Sequence, residues 1–379
     1  MGVKTLFRPP LSTNVRARVI LHVDFDYFYV QCEEMRDSSL KAVPAVVCVY
    51  SGRNIDAGVI SSSNYAAREL GVKSGMPIKT AKIKLAKKDA AFLPIDMPYY
   101  KEISSTGMEV IRSLSNAFEY VGIDECYLEM TKASNSDFIG SKDIAKLIQK
   151  NLFAKANLTA SIGIAPSKLV AKIASNFRKP NAITVVSPED VKAFMTDCKI
   201  TDIPGIGPKN IQRLEALGLL SVRDLAEADL FRLKELFGYK MASYLRNAAN
   251  GIDVSPLRPK QKRKQIGRIV TLKSNVISIQ DAAPILMELC ASVYDTLLRH
   301  GLSYANIIVT LILNNLAQIT ASRTIKLPST SLEELQFVSR SLVIDTLKHD
   351  DLTLAEIRRI GITISDLSEE AGQRRISEY

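Results

Sequence analysis

The stretch VILHVDFDYFYVQCEE, residues 19–34, decides how the chain is read. Val19 to Val23 is a β-branched, apolar run of the kind buried inside a sheet. It delivers Asp24 to the strand exit, where a sheet can present a functional group. Asp26 lies two residues on, and would share a face with Asp24 if the strand continued. Working outward, Val43 to Tyr50 predicts a second strand, punctuated by Gly52 to Gly58, and Asn64 to Leu70 a short helix stopped by Gly71. A third strand is expected over Tyr120 to Met130. Asp143 to Ala156 and Lys168 to Phe177 read as helices, Thr159 to Ile164 and Ile183 to Val186 as strands. Strands and helices thus alternate to about residue 187, which predicts an α+β or α/β sheet domain.

The texture then changes. Pro188 to Gly251 is helical with Gly/Pro breaks and no convincing strand. VSPLRPKQKRK, residues 254–264, reads as a linker, and between Arg258 and Asn275 every charged residue is basic. Gly267–Leu272 (strand), Ile279–His300 (helix), Asn306–Leu313 and Thr320–Ile325 (strands), Ser331–Lys348 (helix) and Glu356–Ile364 (strand) follow. That is the βαββαβ order of a small α+β domain. Asp366 to Tyr379 reads as a polar, mobile tail.

Composition narrows the function classes. A chain of 379 residues, 46% of them hydrophobic, is long enough for two or three domains with real cores, which excludes a mainly disordered protein. No apolar run reaches the ~20 residues of a membrane span. The first residues lack a signal peptide's apolar core, so a cytoplasmic location is expected. Five scattered cysteines and three distant histidines argue against a disulfide framework and a structural zinc site. Fifty Lys+Arg against forty Asp+Glu gives +10, a surplus that suits a polyanionic partner.

Four groups of residues carry chemistry. Asp24 with Asp124 and Glu125 offers hard oxygens on apolar strands, which favours magnesium over zinc, unless lysine and arginine pair with them instead. Adjacent strand residues point to opposite faces, so Asp124 and Glu125 can share a site only at a strand end or bulge. Tyr65 and Arg68 share a helical face behind Ser61, Ser62 and Ser63, a set suited to a triphosphate, although an N-cap serine beside a surface arginine is the plainer reading. Lys179, ahead of Pro180, reads as a phosphate contact or a solvated loop lysine. Ile203-Pro-Gly-Ile-Gly207 leading into a helix resembles a helix-hairpin-helix, whose Gly205, Gly207 and Lys209 would hold a DNA phosphate without reading sequence.

These pieces, in this order, resemble the Y-family DNA polymerases, particularly the archaeal DNA polymerase IV (DinB-like) group, over residues 19–365. The motifs are VDFDYFYVQCEE (23–34), GVISSSNYAARELGVKSGMP (58–77), IDECYLE (123–129), SKLVAKIASNFRKPNAI (167–183), IPGIGPK (203–209) and IGRIVTLK (266–273). The resemblance implies a right-hand fold: palm at 19–27 and 95–187, fingers at 28–94, helical thumb at 188–253, basic linker at 254–264 and little finger at 265–365, between an extension (1–18) and a tail (366–379). It implies two Mg2+ ions held by Asp24, Asp124, Glu125 and the Phe25 carbonyl, with Asp26 structural. It makes Tyr29 the steric gate, places Ser62, Tyr65, Arg68 and Lys179 on the dNTP, and puts Gly58 and Val59 over the nascent base. DNA contacts would come from Lys262, Arg263, Lys264, Arg268, Arg358 and Arg359. Primer-template DNA and dNTPs would be the partners of a monomeric, low-fidelity enzyme without proofreading, suited to translesion synthesis. Gln373, Ile376 and Tyr379 resemble a truncated sliding-clamp box. The chain departs from the pattern at Gly122, where the family often has Ser, and at Ser62, where it often has Thr. The rival readings are a nucleotidyl cyclase, which needs neither the hairpin motif nor the basic linker, and a non-catalytic DNA-recruitment module.

Overall fold

The computed structural model describes residues 17–115, 117–258, 262–349 and 356–369. They divide into two compact units, one of residues 17–47, 62–71 and 88–258, the other of 48–61, 72–87, 262–349 and 356–369. In chain order the elements of the N-terminal half are β1 (Ile20–Phe25), α1 (Phe28–Arg36), β2 (Ala45–Tyr50), β3 (Gly58–Ser63), α2 (Tyr65–Glu69), α3 (Ile78–Leu85), β4 (Ala91–Pro94), α4 (Met97–Arg112), β5 (Phe118–Tyr120), β6 (Glu125–Glu129), α5 (Ser141–Ala156), β7 (Ala160–Ala165), α6 (Lys168–Phe177) and β8 (Ile183–Val185). A five-stranded sheet runs in the order β5-β6-β1-β7-β8, and a three-stranded sheet in the order β3-β2-β4. The 19–34 stretch therefore supplies the central strand of the larger sheet.

Strand β1 is apolar on both faces because both are covered. Leu21, Val23 and Phe25 enter one core with α1, α4 and α5 residues, whereas Ile20 enters a second core beneath α6. Two glycines permit the close contacts. A methyl at Gly107 of α4 would come within 2.9 Å of the Phe25 ring. A methyl at Gly163 of β7 would overlap the Ala171 carbonyl oxygen and the Ser175 amide nitrogen, so glycine is what lets α6 lie directly on β7.

Two local expectations are corrected. Tyr120–Met130 is not one strand but the second half of the β5–β6 hairpin: Val121 and Gly122 donate N–H bonds back to the Glu125 carbonyl, 3.2 and 3.1 Å away. No serine caps α2, because Ser61 to Ser63 belong to β3. The cap is Asn64, whose Oδ1 accepts from the Ala67 N–H at 3.1 Å and also from the Ala45 N–H at 3.0 Å. The sequence reading passed over α1, β3, α3, β4 and α4.

Residues 188–251 hold α7 (Val191–Asp197), α8 (Pro208–Glu215), α9 (Val222–Glu227) and α10 (Leu230–Ala249), as the helical texture predicts, with α10 broken at Gly238. Their apolar faces share the α6 core. The segment after Gly251 is less free than a linker reading implies: Asp253 caps α6 through the Leu169 N–H at 3.0 Å, and the Arg258 N–H reaches Glu119 at 2.7 Å.

The second unit carries β9 (Gln265–Val276), α11 (Ile279–Arg299), β10 (Leu302–Leu313), β11 (Gln318–Ser329), α12 (Leu332–His349) and β12 (Ile357–Ser365). This is the expected βαββαβ order, and its sheet runs β11-β10-β12-β9. Ile307, Val309, Leu311, Ile360 and Ile362 point into a core with α11 and α12. The tail reading is corrected at its start: β13 (Ser368–Glu369) pairs with Leu302 and Ser303. Gln373, Ile376 and Tyr379 lie outside the described residues.

Candidate active site

The register of β1 builds the site. Asp24 stands opposite Glu125 on β6 and opposite Ser161 on β7, and two residues back His22 stands opposite Tyr127 and Gly163. Asp124 precedes β6, so the opposite-faces rule does not bind it. Its carbonyl accepts the Phe25 N–H at 2.8 Å, which fixes the hairpin turn to the end of β1. Ser104 of α4 ties the same turn down through the Ile123 carbonyl. The two halves of the acidic set, Asp24 and the Asp124-Glu125 pair about a hundred residues later, are thus joined by one strand pair.

The carboxylates are mostly withdrawn from water and close enough to oppose one another's charge. Burial first, then Asp24 and Glu125, push the Asp124 carboxyl up to about 6. Glu125 is held down at about 2 by the His22 ring, a contribution that counts only while a proton lies on Nε2, and by the Lys172 ammonium; burial opposes both. Two lysines neutralise the cluster: Lys179 pairs with Asp24, and Lys172 with Glu125. Asp24 and Glu125 are therefore paired with lysines, as the ion-pair reading expects, while both lie near enough to Asp124 to raise its pKa. A divalent cation fits this set. The donors are hard oxygens, and their mutual repulsion calls for positive charge.

Asp26 takes a different role from Asp24. It is wholly buried, accepting from Ser161 Oγ at 2.7 Å and from the Asn181 N–H at 2.8 Å. It pins the loop that carries Lys179, as a structural residue should. On α1 the Tyr29 ring stacks on the buried Tyr100 ring at 4.7 Å. Burial, then the charge of Asp124, raises the Tyr29 pKa, which sets the phenol beside the acidic cluster.

Tyr65 packs edge-on against Tyr27 at 5.3 Å, and its buried hydroxyl lacks a partner. Its pKa is raised by burial and then by Asp26. Arg68 is exposed; its guanidinium lies 5.0 Å from the Tyr65 ring and donates to the Ser63 carbonyl at 2.9 Å. Ser62 is buried. In the second unit a methyl at Gly58 would overlap the Val49 carbonyl oxygen and come within 2.7 Å of Ile78, so only glycine fits there, and the neighbouring Val59 is exposed.

The expected DNA contacts separate. Gly205 adopts φ 86° and Gly207 caps α8 without a side-chain hydrogen bond, leaving the helix N-terminus open beside Lys209. Lys262 pairs with Glu369 at 2.7 Å, and with Arg263 and Lys264 it lines one recess. Arg268 stands opposite Ile362 and Arg359 opposite Thr271, so the register puts these two arginines on opposite faces of the sheet. Arg358 lies at an irregularity in that pairing, with its Nε buried.

Sequence reading missed His22 and Lys172. A signal existed for each: His22 is the polar residue on the Asp24 face of an apolar strand, and Lys168 and Lys172 form an i, i+4 pair on an apolar helix. Lys168 pairs with Glu119 of β5 at 2.7 Å.

Known proteins are similar to this chain in sequence and in fold. The impB/mucB/samB family profile matches residues 23–176, its C-terminal domain residues 263–377, and a DNA polymerase-iota thumb domain residues 201–253. DNA polymerase IV of Nitrosopumilus maritimus is 41% identical over 366 residues, which cover 96% of this chain and all of that protein. DNA polymerase IV of Saccharolobus solfataricus is 34% identical, covering 93% and 98%. Among solved structures, a Y-family DNA polymerase chimera of Dbh superposes with a TM-score of 0.84 at 31% identity, covering 92% of this chain and 98% of that one. An insertion ternary complex of Dbh DNA polymerase gives 0.66 at the same identity and coverage. With its acids, thumb and little-finger sheet all accounted for, the chain belongs to the Y-family DNA polymerases, in the archaeal DNA polymerase IV (DinB-like) group.

Proposed function

We propose that this protein is a template-directed DNA polymerase that adds dNTPs to a primer 3′-hydroxyl, with low fidelity and in bypass of template lesions. The observation that carries the reading is the convergence of Asp24, Asp124 and Glu125 at the joined ends of β1 and the β5–β6 turn. Asp24, Asp124, Glu125 and the Phe25 carbonyl would hold two Mg2+ ions. Bound there, such ions supply Lewis-acid stabilisation of the attacking and leaving oxygens of an in-line phosphoryl transfer.

The chain's own groups do the rest. Ser62, Tyr65, Arg68 and Lys179 orient the triphosphate and offset its charge. The Tyr29 ring, backed by Tyr100, occupies the space of a ribose 2′-hydroxyl. Gly58 and Val59 leave the base pocket roomy, which costs selectivity. The domain assignment that serves this is palm 19–27 and 95–187, fingers 28–94, thumb 188–253, linker 254–264 and little finger 265–365. The open N-terminus of α8 and the basic residues Lys262, Arg263, Lys264, Arg268, Arg358 and Arg359 meet the DNA backbone. The enzyme acts as a monomer in the cytoplasm; no helix among the described residues is long and apolar enough to cross a membrane. Gln373, Ile376 and Tyr379 dock on a sliding clamp, and clamp binding that survives deletion of 370–379 would end that part.

The decisive experiment is primer extension on an undamaged template with Mg2+, wild type beside Asp124→Asn. Extension lost in the variant with DNA affinity retained is the expected result. Tight, salt-sensitive DNA binding without extension by the wild type would favour a recruitment module instead.

A further inference from the structure

Helix α1 grips one ring of α4 at two points. Tyr29, Glu33 and Arg36 fall at i, i+4 and i+7, so they share a face of α1. Tyr100, in the first turn of α4, is wholly buried. Its face carries the Tyr29 ring, with centroids 4.7 Å apart and an interplanar angle of 21°. Its hydroxyl donates to Glu33 Oε1 at 2.6 Å, and Glu33 is itself buried. Arg36 closes the seam. It lies 3.7 Å from the same Glu33 oxygen, donates to Asp96 Oδ2 at 2.8 Å, and covers the Tyr99 ring at 3.5 Å. Asp96 in turn caps α4 by accepting the Tyr99 N–H at 3.2 Å. A hydroxyl buried this deeply has no water to replace the carboxylate, so the Glu33 contact is what holds the far end of the Tyr100 ring.

We propose that Glu33 is a positioning residue for sugar selection: by tying the tip of Tyr100 it keeps the ring behind Tyr29 from giving way. The inference rests on Tyr29 being the steric gate and accounts for the stiffness of that gate. A ring excludes a 2′-hydroxyl only as far as it resists displacement. Tyr29 is half-buried, and Tyr100 is the ring stacked behind it. A tyrosine pivots at its Cβ end, so its hydroxyl sweeps the widest arc, and fixing that hydroxyl restrains the whole ring. Glu33 stands one turn beyond Tyr29 on the same helix, so gate and tie are held in one frame. Glu33 acts through Tyr100 and Tyr29, not on the nucleotide.

The test measures kcat/KM for rNTP divided by that for dNTP, in single-nucleotide insertion by the full chain with Mg2+. Glu33→Met keeps the bulk and removes the acceptor. The ratio should rise about two- to tenfold, the range that an aromatic stack contributes. Tyr100→Phe removes the same bond from the other side, leaves Arg36 beside the carboxylate, and should raise the ratio similarly, so it carries the test if Glu33→Met does not fold. Glu33→Gln retains an oxygen that accepts from Tyr100 and should keep the wild-type ratio. In a Tyr29→Ala background Glu33→Met should add nothing further. A merely structural role would lower both kcat/KM values together and leave their ratio alone. A wild-type ratio in Tyr100→Phe or in folded Glu33→Met overturns the proposal, as does a further rise in the Tyr29→Ala background. A Glu33→Gln shift as large as that of Glu33→Met overturns it too, because the charge and not the tie would then matter. Tyr29→Ala separates the two readings: an unchanged ratio there removes the steric gate and this inference with it, whereas a raised ratio beside an unchanged Tyr100→Phe removes the inference alone.

Discussion

Replacing Asp26 by alanine tests the link between the palm's packing and its nucleotide chemistry. Two buried donors depend on that carboxylate, the Ser161 hydroxyl and the Asn181 N–H. Each left without an acceptor costs about 1–3 kcal/mol, so Asp26→Ala should lose roughly 2–6 kcal/mol. For a unit of this size, ~4 kcal/mol corresponds to a fall in Tm of about 8–16 °C. Asp26→Asn is the control: its amide oxygen can still accept from Asn181, its NH2 can donate to Ser161 Oγ, and the loss should stay near ~1 kcal/mol. Asn181 follows Lys179 by two residues, so the alanine variant should also raise the KM for dNTP while asparagine leaves it near the wild-type value. Thermal unfolding by circular dichroism and steady-state single-nucleotide insertion read the two effects. An alanine variant that melts with the wild type and keeps its KM would refute the reasoning, because the two hydrogen bonds would then carry neither stability nor loop position.

Three further outcomes follow from the same geometry. Gly163→Ala places a methyl on the Ala171 carbonyl and should lower Tm more than Gly207→Ala, where the added methyl meets nothing within 4 Å; equal shifts would mean α6 does not lie on β7 as described. Tyr29→Ala should admit ribonucleotides, measured as the ratio of kcat/KM for rNTP and dNTP, and an unchanged ratio removes the steric gate. Mg2+ at about a hundred times its Kd should stabilise the wild type by ~2.7 kcal/mol in thermal denaturation and Asp24→Asn far less; equal stabilisation would place the ion elsewhere.

Most of the fold was legible because its signals are local. A β-branched run, a Gly-rich turn before a helix and most single elements of the βαββαβ run over residues 265–365 each declare themselves within one or two dozen residues. Of the elements that escaped notice, α1, α3, α4, β3 and β4, the strand β3 shows why: Gly58 and Ser61 to Ser63 do not look like a strand. Within the site the acids were legible as chemistry, since three carboxylates among apolar residues need a partner wherever they sit. Their mutual arrangement was not. Whether Asp124 and Glu125 face one site depends on where β6 begins, and that is set by the Val121 and Gly122 N–H bonds to Glu125, a detail of one turn.

His22 shows where reading along the chain stops. From the sequence it is one polar residue in a buried strand, and the ordinary expectation is a histidine satisfied by its surroundings. Its meaning comes from three partners that lie more than a hundred residues away: Glu125 across β6, Gly163 across β7, and Ser175 on the helix that Gly163 admits. None is informative alone. A glycine in a strand suggests a close approach without naming what approaches, and a serine late in a helix suggests nothing. Register joins them, because setting Asp24 against Glu125 also sets His22 against Gly163. The alternation that hid His22 among core residues is also the rule that puts it on the Asp24 face. Once β6 and β7 are paired with β1, the ring's Nε2 lies 3.2 Å from the Glu125 carboxylate and its Nδ1 meets Ser175.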